Sequence, residues 1–209
     1  MSLNGFTKSD FDVFIIEGLE ARMKGIQSKI QPKFKELGDL LTNDLSMLVG
    51  SEMYLHIARH ARRKVNPPND TWLAICHDKR GYKKHPHFQL GLFDDHLFIW
   101  LAFIYEAPNK ANIAESLITN SNLITELPGD FVISLDHMKK EATSIGEMNE
   151  SDVITALERL RDVKKAEFLI GRHLQPDSSI LKNGQTLLDF TKETYEQLLP
   201  IYQKAMAQS

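Results

Sequence analysis

Residues Met53–Glu106 read MYLHIARHARRKVNPPNDTWLAICHDKRGYKKHPHFQLGLFDDHLFIWLAFIYE, and the way apolar residues are spaced in this stretch decides the fold class. Met53, Leu55 and Ile57 alternate with Tyr54 and His56, as in a strand with one face buried. Asn66–Asn69, with two adjacent prolines, is a rigid connection, and Thr71–Cys76 is a second strand. The polar segment His77–Lys84, centred on Gly81, is a hairpin loop that leads into a third strand over His87–Phe93. Asp94–Asp95 turns the chain into a fourth, His96–Tyr105, whose nearly unbroken apolar run suits a central strand covered on both faces. The short connections favour antiparallel pairing, so the stretch is expected to be a four-strand meander.

Outward from this centre the period changes. Residues 7–49 are read as helical: Thr7 with Asp10 three residues later is a helix start. Leu19, Met23, Ile26 and Ile30 form one apolar stripe, and Phe34, Leu37, Leu40, Leu41, Leu45 and Leu48 another. Pro32 predicts a kink or break between the two stripes, and Gly50 a terminator. Residues 108–207 are mixed. A helix opens at Pro108–Asn109, and a fifth strand covers Phe131–Leu135. A loop over 136–146 leads to a helix capped by Asn149 and Asp152, a sixth strand at Ala166–His173, and a final helix over about 186–207 interrupted by Pro200. The expectation is a single α+β domain with an antiparallel-rich sheet of about six strands and helices packed against it.

The chain has 209 residues, a length at which one core can bury about 70% of the unfolded surface. Apolar residues at 42% and charged residues at 25% are ordinary globular values and argue against long disorder. No apolar run approaches the roughly 20 residues needed to cross a bilayer, and the N-terminus lacks a signal-peptide layout. A cytoplasmic protein without a membrane partner is therefore expected. The one cysteine, Cys76, lies in an apolar strand and is read as a buried small hydrophobe.

The net charge of -3 conceals an uneven distribution. Between His56 and His85 stand eight Lys or Arg against two acids, a local charge of +6 on a chain whose remainder carries -9. A positive island on an acidic protein directs a field at an anionic partner. The candidate ligand-binding residues are Arg59, His60, Arg62, Arg63, Lys79, Arg80, Tyr82, Lys83, Lys84, His85 and His87: cations for phosphate and flat rings for bases. The partner they imply is a nucleic acid or a phosphate-bearing small molecule. If the first two strands are antiparallel neighbours, the two basic segments begin at opposite ends of the pair, unless the hairpin folds back. The bland alternative is a set of solvated loop charges that keep sheet edges from pairing.

An enzyme acting on a small anionic substrate is the alternative function, with His60, His85, His87 or His137 as acid, base or metal groups. His85 and His87 are about 7 Å apart on one side of a strand, but the spacing supplies no third metal ligand nearby, only Asp94, Asp95, His96 or His137 at unknown positions. Asp136–His137, followed by Lys139 and Lys140, is a candidate acid–base pair at the end of the fifth strand, the alternative being a turn with satisfied side chains. No nucleophile elbow, phosphate-binding glycine loop or dinucleotide fingerprint occurs, and no catalytic residue, cofactor or metal is assigned.

Six segments carry a resemblance: GFTKSDFDVF, IEGLEARM, IQPKF, HIARHARRKVNPPNDTWLAI, KRGYKKHPHFQLGLFDDHLFIWLAFIYEAPNK and DHMKKEA. On these the chain resembles, over essentially its whole length, the YktB-like family of uncharacterised proteins from Gram-positive bacteria. The resemblance implies a compact α+β domain in a cytosolic bacterial protein. It brings with it no activity, substrate or catalytic residue.

Overall fold

The computed structural model describes residues 3–208. At its centre is an open seven-stranded sheet in which every neighbouring pair is antiparallel. The meander is present as β1 (Tyr54–Ile57), β2 (Thr71–Cys76), β3 (His87–Leu92) and β4 (Leu97–Phe103). Three further strands, β5 (Val132–Ser134), β6 (Thr143–Ser144) and β7 (Phe168–Leu174), complete the order β1-β2-β3-β4-β7-β5-β6. β4 is the middle strand and all seven of its residues are buried, as its unbroken apolar sequence requires.

Two local expectations are corrected. The segment 136–146, expected to be loop throughout, contains β6, which pairs with β5 through Val132–Ser144 and Ile133–Thr143. The sheet therefore has one strand more than the six expected. Pro32 does not break the chain either. α2 (Leu19–Gly25) runs through a π-helical turn (Ile26–Ile30) directly into α3 (Gln31–Val49), with the proline in the first turn of α3. In an unbroken α-helix the proline ring would meet the Ser28 carbonyl, and the wider π turn relieves that clash. Gly50 ends α3 at φ 75°, a left-handed value that glycine adopts without strain.

Preceding these is α1 (Lys8–Phe11), where the Thr7 N–H donates to Asp10 Oδ2 at 2.7 Å and Lys33 of α3 pairs with the same oxygen. After the meander come α4 (Lys110–Thr119), α5 (Asn122–Thr125), α6 (Glu150–Asp162), α7 (Ser179–Lys182) and α8 (Gly184–Met206), which, as a third correction, runs through Pro200 without the interruption expected there. Asn149 and Asp152 form the expected cap of α6.

Strand alternation then divides the sheet. Leu73, Ile75, Phe88, Leu90, Ile99, Leu101 and Ile170 enter the main core with Phe34, Leu41, Leu187, Tyr195, Leu198 and Tyr202 from the helices. Tyr195 donates its hydroxyl to the Gln89 carbonyl at 2.9 Å, fixing α8 across this face.

The opposite face carries a smaller apolar cluster of Phe93, Phe98, Trp100, Ala102, Ile104 and Leu169. Its central row, His56, Ala74, Gln89, Trp100, Gly171 and Val132 in register, mixes polar and small residues with one large ring. Glycine is required beside the aromatics: a Cβ on Gly91 would lie 2.3 Å from the Phe98 ring. This is the face on which the chemistry-bearing residues gather.

Candidate anion-binding groove

β1 and β2 pair with Tyr54 opposite Cys76 and Ile57 opposite Leu73, so the loop after β2 starts at the far end from Arg59. The loop folds back. His56 donates from Nε2 to the Asp78 carbonyl at 3.0 Å, and Trp72, near the start of β2, donates from Nε1 to the Tyr82 hydroxyl at 3.0 Å. From Cys76 back to Trp72 is about 13 Å of strand, and the loop retraces it over the outer face of the sheet. Within the loop, Asp78 Oδ1 accepts the Arg80 N–H at 2.8 Å and Oδ2 faces His85 Nε2 at 3.3 Å, while Lys83 pairs with Glu106 at 3.1 Å.

The folded-back loop and β1 enclose a groove of about 900 Å³. Arg59, Lys79, Arg80, Lys83 and Lys84 line it against two carboxylates, Asp78 and Glu106, both already engaged as described. Arg59, Arg80 and Lys84 form no ion pair among the described residues. The rings of His56 and Tyr82 stand 5.5 Å apart in its wall. The hydrogen bond from the Arg80 N–H holds the Asp78 carboxyl below its usual range, so it stays ionised. Burial pushes the Tyr82 phenol up to about 12, so it stays neutral.

The remaining candidates lie elsewhere. Arg63 turns to the carbonyls of Asn66 and Pro67 at 3.5 and 3.3 Å, and Arg62 and Lys64 share its loop outside the groove lining. His60, at φ 50°, hydrogen-bonds with Thr71 Oγ1 at 3.1 Å and stands edge-on to Trp72. Burial, then the Arg63 charge, lowers its pKa to about 4. His87 is fully buried beneath Tyr82, donating from Nδ1 to the His85 carbonyl and accepting from Gln89 at Nε2. Burial lowers it to about 3, so it is neutral in the fold. His85 is bound to Asp78, and His85 and His87 do not form a pair of ligands. Cys76 is buried, its thiol pushed up to about 11 by burial.

Sequence reasoning placed His56 in the first strand but did not count it among the site residues, because nothing in the sequence says which strand face the hairpin will cover. Glu106, which pairs with Lys83 in the groove lining, is likewise absent from the sequence-read candidates.

An open antiparallel α+β sheet, helix-covered on one face and closed on the other by a cationic loop, defines the class. The chain belongs to the family described as "Domain of unknown function (DUF1054)", which matches residues 6–202. A UPF0637 protein of Shouchella clausii is 58% identical over 207 residues, covering 99% of this chain and 97% of the relative. One of Oceanobacillus iheyensis is 57% identical over 204 residues, covering 98% of each. A third, of Listeria welshimeri, is 53% identical over 206 residues, covering 99% of this chain and all of the relative. The YktB-like resemblance agrees with these matches to Gram-positive bacteria. No helix of the described residues is long and apolar enough to cross a membrane.

Proposed function

We propose that the protein binds a phosphate-bearing partner, a nucleotide or a single-stranded nucleic acid, in the groove between β1 and the β2–β3 loop. The observation that carries this reading is the convergence of Arg59 with Lys79, Arg80, Lys83 and Lys84 on one concavity, although they flank a strand in sequence. The volume suits a nucleotide-sized ligand. Arg59, Arg80 and Lys84, unpaired, are available to phosphate oxygens, and the His56 and Tyr82 rings offer faces to a base.

The test is fluorescence anisotropy with a labelled single-stranded oligonucleotide, and with a labelled adenine nucleotide in parallel, across a salt series. Oligonucleotide affinity is expected to fall linearly on logarithmic axes, and the triple substitution Arg59→Ala, Arg80→Ala, Lys84→Ala to reduce the slope by about 2. Loss of nucleotide binding alongside identifies a shared phosphate site. No binding of either probe at about 50 mM salt, or a triple variant indistinguishable from the parent, refutes the proposal.

A further inference from the structure

Away from the groove, chemistry-bearing side chains are densest where the chain leaves β5 and enters β7. Glu167, 3% exposed, immediately precedes β7. Its Oε2 accepts from the His137 backbone N–H at 2.9 Å and from His137 Nδ1–H at 2.7 Å, and its Oε1 accepts from the Tyr105 N–H at 3.4 Å. Asp136 accepts the Met138 N–H at Oδ1 and pairs loosely with Lys139 at 3.8 Å, and one ligand atom from each of Asp136, His137 and Glu167 lies within 4.8 Å of the other two.

A further buried carboxylate stands two residues before Trp72. Asp70 is 1% exposed, and neither of its carboxylate oxygens has a hydrogen-bond partner among the described residues. It immediately precedes β2, and the ring of Trp72 stands edge-on 6.3 Å from that of His137. The charges of Asp70 and His137 act on each other across this space. Arg63 is the other cation acting on Asp70, and its Nη1 donates to the Asn66 and Pro67 carbonyls. Three carboxylates thus gather around one imidazole. A buried carboxylate without a partner is neutralised either by a proton or by a cation brought beside it, and a metal ion would supply the second.

We propose that Asp136, His137 and Glu167 form a site for a divalent first-row metal ion, Mn²⁺ or Zn²⁺, with Asp70 as the buried counter-charge behind it. The donor set is the reason for this choice of ions: carboxylate oxygens suit Mn²⁺, and an imidazole nitrogen beside them brings Zn²⁺ into range. Three protein ligands leave positions on the ion for water or a substrate oxygen. The site lies across Trp72 from the groove and stands on residues that the groove does not use.

The experiment titrates Mn²⁺ alone, and Zn²⁺ alone, into the full chain after removal of metals by a chelator. Binding is followed by calorimetry, and by electron paramagnetic resonance for Mn²⁺. A single class of site is expected, weakened about 100-fold by Asp136→Asn or His137→Gln and about tenfold by Asp70→Asn. Asp136, with its side chain 42% exposed, can be changed without disturbing the core, so Asp136→Asn decides the matter even if Glu167→Gln does not fold. No saturable binding of either ion, or binding that survives both Asp136→Asn and His137→Gln, overturns the proposal.

Discussion

Replacing Asp70 with Asn should change how the stability of the protein depends on pH. Asp70 is buried with both carboxylate oxygens unpartnered among the described residues. Desolvation raises its pKa from 3.8 to about 6, against the opposing pulls of the His137 and Arg63 charges. A carboxyl with a raised folded pKa holds its proton in the native state at pH values where the unfolded chain has released it. Its favourable contribution is therefore complete below pH 3.8 and is lost as pH rises through 6. A rise from 3.8 to about 6 corresponds to about 3 kcal/mol in full, of which about 2 kcal/mol fall between about pH 4.5 and 7.5.

Asn has nearly the same shape and no charge to lose, so the parent should lose about 2 kcal/mol relative to Asp70→Asn over that interval, or about 4–8 °C in melting temperature for a chain of this size. The assay is urea unfolding followed by the fluorescence of Trp72 and Trp100 at pH 4.5, 6 and 7.5, with chelator present so that no ion neutralises the carboxylate. Parallel pH profiles for the two proteins would refute the reasoning, because they would mean that Asp70 titrates as it does in water.

On the acid side the buried imidazoles act in the opposite sense. Burial lowers His87 and His173 to about 3, so each is neutral in the fold but protonated in the unfolded chain below about 6.5. The unfolded state then binds more protons, and stability should fall as pH drops from 6.5, by up to about 1.4 kcal/mol per pH unit for each histidine. Measured on Asp70→Asn, where the opposing carboxyl is absent, a profile that stays flat down to pH 5 would contradict this. Tyr82→Phe removes the acceptor for Trp72 Nε1–H, which holds the β2–β3 loop down. It should cost about 1 kcal/mol and speed amide exchange in residues 78–84 while leaving β3 and β4 protected, and unchanged exchange in the loop would show that the bond does not close it.

Much of the architecture can be read locally. The four-strand meander, the central place of the run Leu97–Phe103 and the cap at Asn149–Asp152 follow from alternation, apolar content and short connections, which are properties of neighbouring residues. The π turn ahead of Pro32 was not legible, because a proline clash can be relieved by widening a turn as well as by breaking it. β6 was missed because two residues, Thr143 and Ser144, carry no periodicity and pair only when β5 offers its edge.

The site divides in the same way. The sequence by itself determined that a strongly cationic stretch exists, since charge is additive along a chain. Only the tertiary structure decided that Arg59 and Lys79–Lys84 share a groove, through two long side-chain bonds that fold the hairpin back over its own strand. The tertiary structure likewise brought Asp70, His137 and Glu167 into one neighbourhood, because insertion of β7 between β4 and β5 is a long-range pairing that no local spacing encodes.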